Sequence, residues 1–124
     1  MSTPAEQIKN LDIRCAETGQ QLARISELAE KDLNDALAVL EDQGPYAMFL
    51  YAKARFKGEV YEGFQKPCIE LLRGVFDSKL QNLQDALKAV KQLAEDLDDL
   101  LFARDLLRSA LSYARYHLKA KGSK

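Results

Sequence analysis

A single histidine, no tryptophan, three prolines and two cysteines among 124 residues leave this chain few routes to chemistry. With His117 alone, a two-histidine carboxylate cage of the kind built inside helical bundles is excluded. Cys15 and Cys68 lie far apart, with no CxxC or Cys/His spacing around them. Neither reads as a zinc ligand or a histidine-activated nucleophile, and both read as small core residues in a reducing compartment. Gly58, Gly63 and Gly74 stand alone, so there is no phosphate-cradling loop. A helical ribonuclease motif with four to six residues between Arg and His also fails: Arg115 precedes His117 by two residues and Arg108 by nine. Acid pairs such as Glu41–Asp42 and Asp98–Asp99 read as solvated helix faces, with no electrophile-stabilising group nearby in sequence. The expectation is a protein that is not an enzyme and uses no metal or cofactor.

Long apolar runs are missing too. No stretch approaches the roughly 18 residues of a membrane span, and the polar start Met1–Ser2–Thr3–Pro4 lacks the charged and apolar regions of a signal peptide. A cytoplasmic protein is expected. Sustained apolar/polar alternation with β-branched residues is absent, so no sheet is predicted. With few turn formers and 47% hydrophobic residues, the chain reads as one domain over 1–124, all-α, a compact bundle of five or six helices.

Thr3–Pro4–Ala5–Glu6 is a helix start, with Thr3 as cap, Pro4 at the first position and Glu6 closing a capping box. Ile8, Leu11 and Cys15 begin an apolar stripe that Thr18–Gly19 can break, and Leu22 to Leu40 resumes it. One helix or two over 4–42 are both compatible with this pattern. Gln43–Gly44–Pro45 punctuates the chain, Gly44 ending one helix in left-handed geometry and Pro45 opening the next, which ends near Gly58. A loop through Tyr61, Gly63 and Phe64 is predicted up to Pro67, then a short buried helix over Cys68–Phe76. Asp77–Ser78 caps a further helix through Ala94, with Gln81 in the capping-box position, and the last helix starts afresh near Asp96. Its apolar arc holds Phe102, Leu106, Leu107, Ala110, Tyr113, Ala114 and Leu118, with His117 beside Tyr113 and Ala114.

What the chain does have is charge gathered by sign. Formal net charge is only −1, yet residues 100–124 hold six Lys/Arg against one acid, and residues 1–52 hold nine acids against four Lys/Arg. Arg104, Arg108, Arg115 and Lys119 fall within about 60° of one another on a helix. Lys53, Arg55 and Lys57 form a second basic group, with Arg73 beyond it. If the two groups lie side by side they frame a groove for a phosphate backbone, and arginine suits bidentate phosphate contact. The alternatives are a protein-docking face, or arginines lying over apolar neighbours with no special role.

The stretch Val39 to Ala54, with Gln43–Gly44 followed by Ala47, Phe49 and Lys53, resembles the small helical subunits of type III CRISPR effector complexes, the Cmr small-subunit family; the related Csm small subunit is a less close match. The segment Leu107 to Ala120, aromatic with Arg and Lys-Ala, is similar to the closing helix of that family. Pro45 replaces the apolar residue usual after the glycine. The resemblance implies a non-catalytic scaffold that stacks in a filament with other effector subunits and lines the groove where guide RNA pairs with target RNA. It carries over Lys53 as a basic residue. Lys53, Arg55, Lys57, Arg73, Arg104, Arg108, Arg115 and Lys119 are therefore the candidate nucleic-acid-binding residues. The competing expectation is a helical adaptor or self-assembly protein docking by charge complementarity, with no nucleic-acid role.

Overall fold

Seven helices make up the fold in the computed structural model, which describes residues 4–122, with side chains from residue 10 onward. They are α1 (Pro4–Ala23), α2 (Glu30–Gln43), α3 (Pro45–Arg55), α4 (Gly58–Val75), α5 (Asp77–Leu80), α6 (Ala86–Leu93) and α7 (Leu97–Gly122). The all-α class agrees with the sequence reading, and the count exceeds the five or six expected. Thr3 and the side chains of Glu6 and Ile8 lie outside the described residues.

Residues 4–42 form two helices, and Thr18–Gly19 is not the break. The chain turns at residues 24–29, where Glu27 takes φ 69° and the Asp32 carboxylate accepts from the Ala29 N–H at 2.9 Å to start α2. Gly19 stays helical and lies directly against the α7 backbone. A Cβ there would sit 2.6 Å from Tyr113 Cβ and 2.7 Å from both Ala110 O and Ala114 N. At Gly44 the helix does end, but with φ 98° and ψ 178°, an extended left-sided conformation reserved for glycine rather than the αL cap predicted.

The loop expected over Gly58–Pro67 is helix. α4 runs straight through Pro67, whose missing N–H leaves one intrahelical bond unmade, a defect of about 3 kcal/mol in a helix interior. Its face of Val60, Tyr61, Phe64, Cys68, Ile69, Leu71 and Leu72 is buried, and each large apolar side chain contributes about 1.5–3 kcal/mol. Burial wins. Phe64 anchors that face, with Phe49 and Phe56 edge-on to it at centroid distances of 6.0 and 5.4 Å.

The single helix predicted over 77–94 is two. α5 is one turn, Gln81 then reverses the chain at φ 45°, and Asp85 restarts it by accepting from the N–H groups of Leu87 (2.9 Å) and Lys88 (3.2 Å). Asp96 caps α7 the same way, accepting from Asp98 N–H at 2.9 Å and Asp99 N–H at 3.3 Å, so the fresh start near Asp96 is seen. α7 is the spine. It packs chiefly against α1 and α2, while α3 packs chiefly against α2 and α6.

Candidate functional site at the charged face of the last helix

The basic stripe of α7 is not an open face, because α2 lies along most of it. Arg108 meets Glu41 at 3.7 Å, Arg115 donates to Asn34 Oδ1 at 3.0 Å, and Lys119 meets Glu30 at 3.7 Å. Advancing four and then seven residues along α2 steps back four and then seven along α7, the register of two antiparallel helices. The charge separation in the sequence is thus largely internal, acid-rich α2 laid against base-rich α7. Sequence reasoning missed this pairing, although Glu30, Asn34 and Glu41 repeat in mirror order the spacing of Lys119, Arg115 and Arg108.

These rungs are weak. Arg108 and Glu41 side chains are 42% and 56% exposed, Lys119 and Glu30 63% and 41%, and pairs this wet are worth roughly 0.2–1 kcal/mol each. At 3.7 Å the Arg108–Glu41 contact is an ion pair and not a hydrogen bond, and the Arg108 Nε is shielded without an acceptor, as are those of Arg104 and Arg115. Arg104 differs from the others in having no partner on α2. Among the described residues it pairs with its own neighbour Asp105, at 3.7 Å.

The second basic group sits elsewhere. Lys53 and Arg55 are exposed near the end of α3, Arg55 lying 5.5 Å from the Tyr51 ring centroid, and Lys57 pairs with Glu27 at 3.0 Å. α2 stands between α3 and most of α7, so the groove imagined between the two basic groups does not form along their length. They do approach at one end. Lys57 and Lys119 both pair with residues around the α1–α2 turn, and Lys121 donates to the Ala23 carbonyl at 3.5 Å. Arg73 is remote from both groups, half-buried on α4 beside a surface groove of about 550 Å³ that it shares with Lys66, Glu62 and Glu70.

Burial holds the described thiols and the Tyr61 hydroxyl in their protonated forms. The Cys68 thiol is pushed up to about 12 by burial, and Cys15 to about 11 by burial and then the Asp12 carboxylate, so both stay protonated and unreactive near neutrality. Burial, with Asp85 next, raises the Tyr61 hydroxyl to about 12. His117 is half-buried on α7. Among the described residues, no three His, Cys, Asp or Glu side chains converge as metal ligands. No described helix is long and apolar enough to cross a membrane.

An apolar recess lies toward the opposite end from Lys119. The α2–α3 corner, α6 and the start of α7 enclose a groove of about 340 Å³ lined by Pro45, Tyr46, Val90, Ala94 and Leu100 among others. No family model, curated protein or solved structure matches this chain.

Proposed function

We propose that this chain is a non-catalytic helical assembly subunit, of the type III CRISPR effector kind that Val39–Ala54 and the closing helix resemble. It stacks with its neighbours through charge-polarised ends and touches RNA backbone with the basic one. The observation that carries this reading is the polarity of the bundle. Lys53, Arg55, Lys57, Lys119 and Lys121 gather round the α1–α2 turn, where Glu27, Glu30 and Asp32 offset part of their charge. Glu41, Asp42, Glu95, Asp96, Asp98, Asp99 and Asp105 outnumber Lys79, Lys91, Arg104 and Arg108 at the other end, where α2 stops and α7 begins. Unlike ends favour head-to-tail contacts, which do not close and so extend. Phosphate contacts by Lys and Arg make RNA affinity local to the basic end and steeply dependent on salt.

The test is a salt series of binding to fluorescent single-stranded and duplex RNA, beside Lys53→Glu/Arg55→Glu and Arg104→Glu/Arg108→Glu. The first double variant is expected to weaken binding and flatten the slope of log K against log salt by about 1.4, the loss of two single-strand phosphate contacts. The second is expected to change binding less, because Arg108 already faces Glu41. Equal losses in both would return the RNA face to the stripe. The second reading, an adaptor with no nucleic-acid role, is favoured by the acid-neutralised stripe itself. Salt-sensitive self-association in sedimentation, with no RNA binding at low salt, would establish it.

A further inference from the structure

The geometry points to a single-strand RNA track on the outer face shared by α3 and α6, where Lys53, Lys88 and Lys91 hold phosphates and the Tyr46 ring stacks on a base. It rests on the proposal that the basic end touches RNA, and adds which form of RNA and through which side chains. Neither α3 nor α6 contains an acidic residue, and between them they carry Lys53, Arg55, Lys88 and Lys91, all exposed. Among the described residues none of these four cations has a carboxylate partner. The stripe on α7 differs, since its Arg108 and Lys119 face acids of α2.

Two sets of contacts fix how these helices lie. At the start of α6 the Ala86 N–H donates to Gln65 Oε1 at 3.1 Å, and Gln65 adjoins Phe64, on which Phe56 at the end of α3 packs edge-on. At the other end Tyr46, near the start of α3, lines one groove with Val90, Lys91 and Ala94, near the end of α6. α6 therefore runs antiparallel to α3. Lys91 stands beside Tyr46, and Lys88, one turn back on the same side of α6, stands toward the Lys53 end. Tyr46, Leu50 and Lys53 fall within about 60° of one another on α3. Tyr46 and Leu50 are 42% and 50% exposed, so cations from both helices flank an open aromatic and aliphatic strip.

That combination selects among polyanions. A single strand offers phosphates to the lysines and unstacked bases to Tyr46 and Leu50 at once. A duplex keeps its bases paired and stacked and would leave the strip wet. An acidic helix would meet the same charges, but its apolar side calls for a recess, and half-exposed Leu50 projects outward. Acids bound the track in sequence, with Asp42 and Glu95 flanking the Tyr46 end and Glu59 following Lys57, so it holds a short run of nucleotides.

The probe is a labelled oligoadenylate of roughly eight nucleotides, titrated with the intact protein in fluorescence anisotropy beside a duplex of the same length. The single strand is expected to bind about tenfold tighter than the duplex. Lys88→Glu/Lys91→Glu is expected to weaken single-strand binding and flatten its slope of log K against log salt by about 1.4, two phosphate contacts. Tyr46→Ala is expected to weaken it roughly tenfold, within the range of one lost base stack, and Tyr46→Phe to bind as wild type, with helical circular dichroism unchanged in both. Equal affinity for strand and duplex, or a Tyr46→Ala protein that binds as wild type, would overturn the inference. RNA binding that depends on Lys53 and Arg55 but survives the α6 changes would overturn this track and leave the basic-end reading standing, whereas no RNA binding at low salt would remove both. Oligoglutamate that displaces the strand as well as unlabelled oligoadenylate does would put an acidic protein on this face instead.

Discussion

Helix α7 meets α1 across small residues and α2 across long charged ones. On the α1 side Gly19 approaches the α7 backbone between Ala110 and Ala114, all buried, with Leu22 and Leu107 packed in the same core and the Cys15 thiol donating to the Leu106 carbonyl at 3.6 Å. On the α2 side three polar rungs bridge half-exposed side chains over a core of Leu33, Leu37 and Leu40. The seam that stands out in the sequence is the charged one. On both seams the buried apolar side chains carry most of the free energy, because each buried leucine contributes about 1.5–3 kcal/mol and each wet ion pair less than 1. Charge along α7 matches that of the helix beside it in register, while apolar burial beneath both seams holds the bundle together.

The largest break in that comparison comes from one methyl group. Gly19→Ala would be worth about 1 kcal/mol in favour of folding if helix propensity decided the matter. The added Cβ instead meets backbone atoms 2.7 Å away, which cannot swing aside, so a net loss of about 1–3 kcal/mol is expected in urea unfolding. Gly74→Ala is the control. Its Cβ would also meet a near atom, but that atom is the end of the flexible Arg14 side chain, so this change is expected to be neutral or mildly stabilising. A Gly19→Ala protein as stable as wild type would show that α1 and α7 are not held at this distance.

How far the sequence was legible follows the same division. Local signals were readable: Gly44–Pro45 separates two helices and Asp96 caps the last one, because a glycine-only conformation and a capping carboxylate act within a few residues. Tertiary burial was not readable. Pro67 and Gly63 look like breakers, and only the packing of Phe64 and Cys68 beneath neighbouring helices keeps α4 continuous. Gly19 looked like a break because a glycine needed for interhelical contact and one needed for a turn are the same letter. For the candidate site, the stripe on α7 was legible and its partner was not. The acids of α2 add to net charge wherever they lie and only the fold aligns them against α7, so Arg108, Arg115 and Lys119 look free in the sequence.

A medium-sized effect tests the close seam by pH. Unfolded, the Cys15 thiol ionises near 9.0; folded, burial first and then Asp12 hold it protonated to about 11. The unfolded chain loses its proton first, so this contribution is whole below pH 9 and drains as pH rises toward 11, reaching about 1 kcal/mol at pH 10. Unfolding free energies of Cys15→Ala are expected to fall less steeply between pH 9 and 11 than those of wild type. Some slope persists from Cys68, which burial holds protonated up to about 12. Identical alkaline slopes in the two proteins would mean that Cys15 is not sealed in the α1–α7 seam.

The smallest effect sharpens the comparison from the charged side. Lys119→Glu sets a like charge against Glu30 and is expected to cost about 0.5 kcal/mol, and adding Glu30→Lys should restore most of it by reversing the rung. The coupling energy of that double-mutant cycle is expected to lie between about 0.2 and 1 kcal/mol and to vanish near 1 M salt, where the screening length is roughly 3 Å. A coupling of about 2 kcal/mol or more that persists in salt would require a rung far better shielded than side chains 63% and 41% exposed permit. In that case the charged rungs, and not only the leucines beneath them, would fasten α2 to α7.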